Sequence, residues 1–165
     1  MKRSGPIKRK TPLKSSGPIK RKPAKAKSPR KKAKDAAWKA FSRYIRIRDA
    51  IRTTGDTEYC VCVTCGKTLP TFGKGCIHAG HWLGGRSGKN LFEEHAVHGQ
   101  CSGCNVFGSG KQYAYEQFMT KHYGHDVMDE IVLQANTPYT YSIDELVGIR
   151  VMYDGLVSKL TGTQK

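Results

Sequence analysis

The sequence predicts a small α+β domain that is stabilised by zinc, flanked by helices and preceded by a disordered basic arm. Three observations lead to this prediction. Two Cys-x-x-Cys pairs lie in a central segment rich in glycine, cysteine and histidine, apolar residues recur at helical spacing on both sides of it, and positive charge is concentrated at the start of the chain. We divide the chain into an arm (1–34), a helix leading into the core (35–55), the core (56–110) and C-terminal helices (111–165).

The arm has the composition of a nucleic-acid-binding tail. Of the 29 Lys and Arg residues in the chain, 15 lie in residues 1–34, which hold no acidic residue, and the rest of the chain is nearly neutral. The string SGPIKRK occurs at 4–10 and again at 16–22, and repeated prolines prevent a continuous helix. Such a segment has little to bury, so it stays disordered when free and binds a phosphate backbone through counterion release. A tail that only keeps the protein soluble is the alternative.

The candidate DNA contacts are basic side chains of the arm, of the first helix and of two glycine-rich segments in the core. They are Lys8, Arg9, Lys10, Lys20, Arg21, Lys22, Arg30, Lys31, Lys32, Arg43, Arg86, Lys89 and Lys111.

The composition also limits the cellular location. No apolar run approaches the ~18 residues that a membrane-spanning helix needs, and no apolar stretch of a secretory signal follows the first charges. Six cysteines without an export signal indicate a reducing compartment, in which clustered thiols bind metal more often than they form disulfides. We therefore expect a cytoplasmic protein that makes no contact with membranes.

Helical periodicity brackets the core. Asp35 is a plausible N-cap for a helix that runs to about Arg52, and Ser142 with Glu145 forms a capping-box pattern for the last helix. Two further helices are expected at 111–123, closed by Gly124, and at 126–135. Short strand-like pieces lie at 59–63 and 76–82.

The two cysteine pairs predict a structural zinc site. Cys62 and Cys65 form the first pair and Cys101 and Cys104 the second, with 35 residues between them. Each Cys-x-x-Cys presents two sulfurs to one ion, and two pairs close a tetrahedral Zn²⁺ site without an open position. Cys60 offers another pairing with Cys62, whereas Cys76 is expected to be a buried thiol.

The long insert between the pairs contains the residues with catalytic potential. These are His78, His81, Glu93, Glu94, His95 and His98, and Asn105 directly follows the second pair. A histidine beside hydrated Mg²⁺ or Mn²⁺ can deprotonate a water molecule for attack on phosphorus.

The motifs of this region resemble the NinG/Rap family of lambdoid phages. The resemblance rests on His78-Ala-Gly-His81-Trp82, on Phe92-Glu-Glu, on the block Val97-His-Gly-Gln-Cys-Ser-Gly-Cys-Asn105, and on the capped start of the last helix. It implies a recombination endonuclease with an HNH-like, or ββα-metal, core that cleaves Holliday junctions and displaced-strand structures in the cytoplasm of a bacterial host.

The resemblance also implies roles for individual residues. His81 would be the general base, with His98 as a second catalytic candidate, and Asn105 and His78 would hold the catalytic Mg²⁺ or Mn²⁺. Two positions depart from the HNH pattern: Gly80 stands where many of these nucleases have an acidic metal ligand, and Ala96 stands where a middle asparagine is expected. The metal ligands are therefore incomplete in the sequence. Either His78 or His98 could complete them, or His81 could itself be a ligand with another histidine as the base.

Two other functions fit the same residues. One is a non-catalytic zinc-knuckle protein that binds DNA or RNA, and the other is an HNH nickase that cuts linear duplex as well as branched DNA. Four-way junctions have a symmetry that a homodimer could match, but no residue in the sequence identifies a dimer.

Overall fold

A computed structural model describes residues 26–84 and 88–162 of the chain. In this part, three long helices surround two small antiparallel sheets. The helices are α1 (Pro29–Thr54), α2 (Gln112–Asn136) and α3 (Ile143–Leu160), and the strands are β1 (Tyr59–Val61), β2 (Thr68–Pro70), β3 (His78–His81) and β4 (Val97–Gln100). None of the described helices has the length and apolar character needed to cross a membrane.

Helix α1 begins six residues before the predicted start at Asp35. The side chain of Ser28 accepts a hydrogen bond from the Lys31 backbone N–H at 3.3 Å, and Pro29 occupies the first helical turn, where its missing N–H costs nothing. The last basic residues of the predicted arm are therefore helical. At the other end, Gly55 adopts a left-handed conformation (φ 82°) that terminates the helix.

The β3–β4 pair forms the centre of the molecule. His78 pairs with Gln100 and Gly80 with His98 across the two strands, so these four residues share one face of the sheet. Strand β3 is shorter than the predicted 76–82 segment, and β1 likewise ends at Val61 instead of residue 63. The backbone N–H of Val63 donates to Gly99 O at 3.0 Å and covers the far side of β4, which leaves β3 as the outer edge.

Helix α1 packs against both the sheet and α3. Its buried Asp49 accepts a hydrogen bond from the Gly99 backbone N–H at 2.8 Å and pairs with Arg48 at 2.9 Å. Phe41 lies against Tyr153 of α3 and against Phe92, with ring centroids 4.9 and 5.6 Å apart. These contacts hold the first helix, the sheet and the last helix in one core.

The C-terminal helices follow the sequence pattern closely. The predicted break at Gly124 is a kink with φ 76° inside α2, after which the helix continues to Asn136. The capping box of α3 is confirmed, because Ser142 accepts from the Glu145 N–H while the Glu145 carboxylate accepts from the Ser142 N–H.

Candidate functional site

The four cysteines of the two pairs meet at one point. The sulfurs of Cys62, Cys65, Cys101 and Cys104 all lie within 4.8 Å of one another. The first pair lies in the turn that joins β1 to β2, and the second begins directly after β4, so the cluster connects both sheets. The Cys65 and Cys101 sulfurs are 3.8 Å apart, close to the edge of a tetrahedron with Zn–S bonds of about 2.3 Å.

Hydrogen bonds to sulfur prepare this cluster for a cation. The backbone N–H of Cys101 donates to Cys62 Sγ and that of Cys104 donates to Cys101 Sγ, each at 3.3 Å. Burial alone would raise the pKa of Cys62, but hydrogen bonds from Thr64 and from backbone N–H groups outweigh it and lower that pKa to about 6. Burial raises the pKa of Cys65 and of Cys101, so Cys62 is the preferred thiolate of the cluster. Four convergent sulfurs with a preferred thiolate among them can hold a metal ion such as zinc.

The two remaining cysteines lie outside the cluster. Cys60 is fully buried against Gly99, where burial raises the pKa of its thiol to about 12. Cys76 is half-buried, and its sulfur lies 3.9 Å from the Arg46 guanidinium. The structure therefore places Cys62 in the cluster and Cys60 outside it, a choice that the sequence left open.

A cleft follows the outer edge of β3. Its floor contains Ala79 and His81, and its far wall is formed by Asn105 together with the turn around Ser109 and Gly110. The volume of this part is about 240 Å³. An adjoining hollow continues beneath α1 and is lined by Trp38, Ser42, Arg46, Ile77, His78, Ala79 and Asn105.

His81 is held on both its edge and its face. Its Nε2 lies 3.2 Å from the Leu91 carbonyl oxygen, which can only accept, so Nε2 carries the proton and Nδ1 is the basic nitrogen. Trp38 of α1 stacks on the imidazole with ring centroids 5.1 Å apart and an interplanar angle of 15°. The packing of α1 therefore places Trp38 where it orients His81.

His78 and Asn105 are neighbours in the adjoining hollow, and Asn105 also lines the cleft. The Asn105 side-chain nitrogen lies 3.4 Å from His78 Nδ1. Asn105 lies in the π-helical turn Gly103–Phe107, directly after Cys104 of the cluster. The structure thus brings together three of the four residues that the sequence assigned to catalysis or to the catalytic cation.

The fourth, His98, lies in the interior instead of the cleft. It is 1% exposed, and its Nδ1 and Nε2 lie 2.9 and 2.7 Å from the hydroxyls of Tyr115 and Tyr123. The Tyr115 hydroxyl donates to Gly80 O, so it accepts from His98 Nδ1 and the proton of the neutral ring is on that nitrogen. Burial, reinforced by nearby Arg48, holds the pKa of His98 well below its usual range. We assign His98 a structural role.

This role leads to a stability prediction. His98→Ala should lower the free energy of unfolding by roughly 2–4 kcal/mol, because it opens a cavity and removes one hydrogen-bond partner from each of two buried tyrosine hydroxyls. His95→Ala is the matched control, since the His95 side chain is 56% exposed and its loss should cost less than about 0.5 kcal/mol. Urea denaturation of both variants measures the difference, and equal stabilities would contradict the assignment.

The basic residues predicted to contact DNA divide into two groups. Lys8, Arg9, Lys10, Lys20, Arg21, Lys22 and Arg86 lie outside the described residues. Four of the others are exposed on α1: Arg30, Lys31, Lys32 and Arg43. The last two, Lys89 and Lys111, are exposed and lie close in sequence to Gly84 and Gly110, which line the cleft. Arg30 also donates to Tyr141 O at 3.0 Å, which ties the start of α1 to the loop before α3.

Sequence reasoning missed one polar residue beside the cleft. Gln100 is completely buried, and its Oε1 is one of three buried side-chain oxygens in the described residues without a hydrogen-bond partner. In the sequence, Gln100 stood out only as part of the block Val97–Asn105. That block indicated the family resemblance, and no chemical role was predicted for Gln100.

Comparison with known proteins identifies the family. The family described as Bacteriophage Lambda NinG protein matches residues 3–162, nearly the whole chain. The chain belongs to the NinG family. The residues matched by the NinG family include the cysteine cluster, the cleft and α3. No curated protein and no solved structure matches this chain significantly.

Proposed function

We propose that this NinG-family protein is a metal-dependent endonuclease that hydrolyses DNA phosphodiesters at branched intermediates of phage recombination. The observation that carries the proposal is the cleft at the edge of β3. There a histidine with an oriented basic nitrogen, His81, shares one pocket with Asn105, and the cysteine cluster anchors the strand and the turn that bring them together.

His81 fits the part of general base. With its Nε2 proton directed to Leu91 O, the ring can accept a proton at Nδ1 from a water molecule. The water oxygen then attacks phosphorus, and the bond between phosphorus and the leaving sugar oxygen breaks. The stack with Trp38 restricts rotation of the imidazole, so the basic nitrogen keeps one direction during the reaction.

The opposite wall fits a cation. Asn105 in this wall presents an amide, and His78 in the adjoining hollow presents an imidazole. Side-chain oxygens are the ligands that Mg²⁺ and Mn²⁺ prefer. When bound, a divalent ion neutralises charge that develops on the phosphate and on the leaving oxygen. In the described residues, the four cysteines are the only cluster of three or more His, Cys, Asp or Glu side chains that could hold a metal. The protein groups offered to the catalytic cation in this proposal are therefore an amide and an imidazole.

Positive charge supports DNA as the substrate. The formal net charge is +16, and exposed Lys89 and Lys111 flank the segments that border the cleft. Such charge favours a polyanion without reading its sequence, so selectivity for branches must come from the shape of the DNA. A homodimer would add a two-fold arrangement of clefts that matches a four-way junction.

Cleavage of labelled DNA tests the proposal. We expect the full-length protein to cut four-way and flapped DNA in Mg²⁺ or Mn²⁺ and to leave linear duplex intact. Omission of the divalent ion is the correct negative control, since a chelator would also remove zinc from the cysteines. Equal cutting of linear duplex would indicate a general nickase. Tight binding without cutting in either metal would indicate a non-catalytic binding protein.

A further inference from the structure

We propose that Gln100 supplies the cation ligand that the sequence lacks at position 80, so that the catalytic ion is held by two neutral amide oxygens, Gln100 Oε1 and Asn105 Oδ1. This inference rests on the proposed nuclease function and names a metal-binding residue for it.

The Gln100 oxygen lies where a side chain of residue 80 would begin. A Cβ atom added to Gly80 would be 2.2 Å from Gln100 Oε1 and 3.0 Å from Asn105 Oδ1. Position 80 precedes His81, and in the HNH pattern it is the place of an acidic metal ligand. A carboxylate at position 80 cannot enter this space while Gln100 fills it. The glutamine at position 100 therefore requires glycine at position 80.

The amide of Gln100 has its orientation fixed. Its nitrogen donates to Gly110 O at 2.8 Å and lies 3.4 Å from the Thr64 hydroxyl. Because a carbonyl oxygen can only accept, the side-chain nitrogen must face Gly110 and the side-chain oxygen must face Gly80. This oxygen is fully buried and has no hydrogen-bond partner. An unpartnered buried acceptor costs about 1–3 kcal/mol, which a bound cation would offset.

The amide of Asn105 is oriented towards the same place. Its nitrogen lies 3.4 Å from His78 Nδ1, and this contact turns Oδ1 towards Gly80 and Gln100. In this arrangement His78, offered above as a possible ligand, acts through the Asn105 amide and is not itself a ligand of the ion. Two acceptor oxygens converge without a donor between them, which is an unfavourable arrangement until a positive charge lies near both.

The neutral ligand set has a consequence for affinity. Two amide oxygens attract a divalent ion less strongly than carboxylates do, so the negative phosphate of DNA must supply much of the binding. We therefore expect Mn²⁺ to bind weakly to the protein alone and more tightly to its complex with junction DNA.

Mn²⁺ binding can be measured without catalysis. Electron paramagnetic resonance of free Mn²⁺ gives the affinity for a four-way junction complex of the full-length protein carrying His81→Ala, which prevents turnover. Adding Gln100→Leu should weaken Mn²⁺ binding on the order of 10-fold or more. Gln112→Leu is the matched control, because it removes a glutamine from the same cleft and should leave the affinity unchanged. Zinc content shows that the cysteine cluster is intact in each variant.

A second pair of variants protects the test against misfolding. Gly80→Asp alone should lower the melting temperature, because its Cβ would collide with the Gln100 oxygen. Combining Gly80→Asp with Gln100→Ala makes room for the carboxylate, so the double variant should recover stability and bind Mn²⁺ at least as tightly as the parent.

The outcomes separate this inference from the proposed function. Mn²⁺ affinity that is unchanged by both Gln100→Leu and the double variant would overturn the inference. In that case the Asn105 amide has the reverse orientation, and its nitrogen donates to Gln100 Oε1. The proposed nuclease function would still stand if the wild-type protein cuts DNA. Wild-type protein that neither binds Mn²⁺ on DNA nor cuts it would overturn the proposed function as well.

Discussion

Replacing Cys104 with alanine should unfold the region around the two sheets. A structural zinc site contributes about 10–16 kcal/mol in small zinc domains, whereas whole domains are stable by only about 5–15 kcal/mol. The cluster joins the turn after β1 to the end of β4, and the cleft is built on the same segments. We therefore expect bound zinc to fall from one ion per chain to almost none, the cooperative melting transition to be lost and DNA cleavage to disappear.

Cys76→Ala is the matched control for this prediction. Cys76 also carries a reduced thiol, but its sulfur lies beside Arg46 and outside the cluster, so one zinc ion per chain and the melting transition should both persist. Elemental analysis and thermal denaturation monitored by circular dichroism give the two readouts. A Cys104 variant with full zinc content and unchanged melting would show that the four cysteines hold no structural metal.

His81→Ala should reduce cleavage of branched DNA by about 10²–10⁴-fold while leaving DNA binding intact. Removal of a positioned general base has effects of this size. His81 is partly buried between Trp38 and Leu91, but the cysteine cluster and the packing of α1 on α3 do not depend on it. Single-turnover rates with excess protein measure the chemical step, and a gel-shift titration with the same junction measures binding.

His95→Ala supplies the comparison for this second variant. His95 lies only two residues before β4, yet its side chain is exposed and pairs with Glu93, so its loss should leave the cleavage rate within about twofold of wild type. Cleavage by His81→Ala at the wild-type rate would remove His81 from the mechanism. Loss of junction binding by the same variant would instead assign His81 to DNA contact.

Local features of the fold could be predicted from sequence where the cause is local. The capping box of α3, the glycine break in α2 and the convergence of the four cysteines depend on residues a few positions apart or on a regular spacing, and the structure contains each of them. The start of α1 was predicted too late, at Asp35. The charge pattern suggested a disordered arm up to residue 34, but Ser28 and Pro29 together form an effective N-terminus.

The positions of the candidate site residues, in contrast, could not be predicted from the sequence. Cys60 and His98 could each have been placed in a metal or catalytic site by spacing alone, yet both are buried against neighbours that come from distant parts of the chain. Gln100 gave no chemical signal in the sequence. The direction of its amide is fixed only in the folded protein, by strand pairing and by the turn at Gly110.

The sequence by itself determined the family, the cysteine cluster and the presence of a histidine-rich segment between the two pairs, because these depend on residue identity and spacing. The tertiary structure decided which histidine lies in the cleft, which is sealed in the core, and which oxygen occupies the space beside Gly80. The physical reason is that each of these outcomes depends on contacts among α1, the β3–β4 pair and α2, and such contacts leave no periodic trace in the sequence.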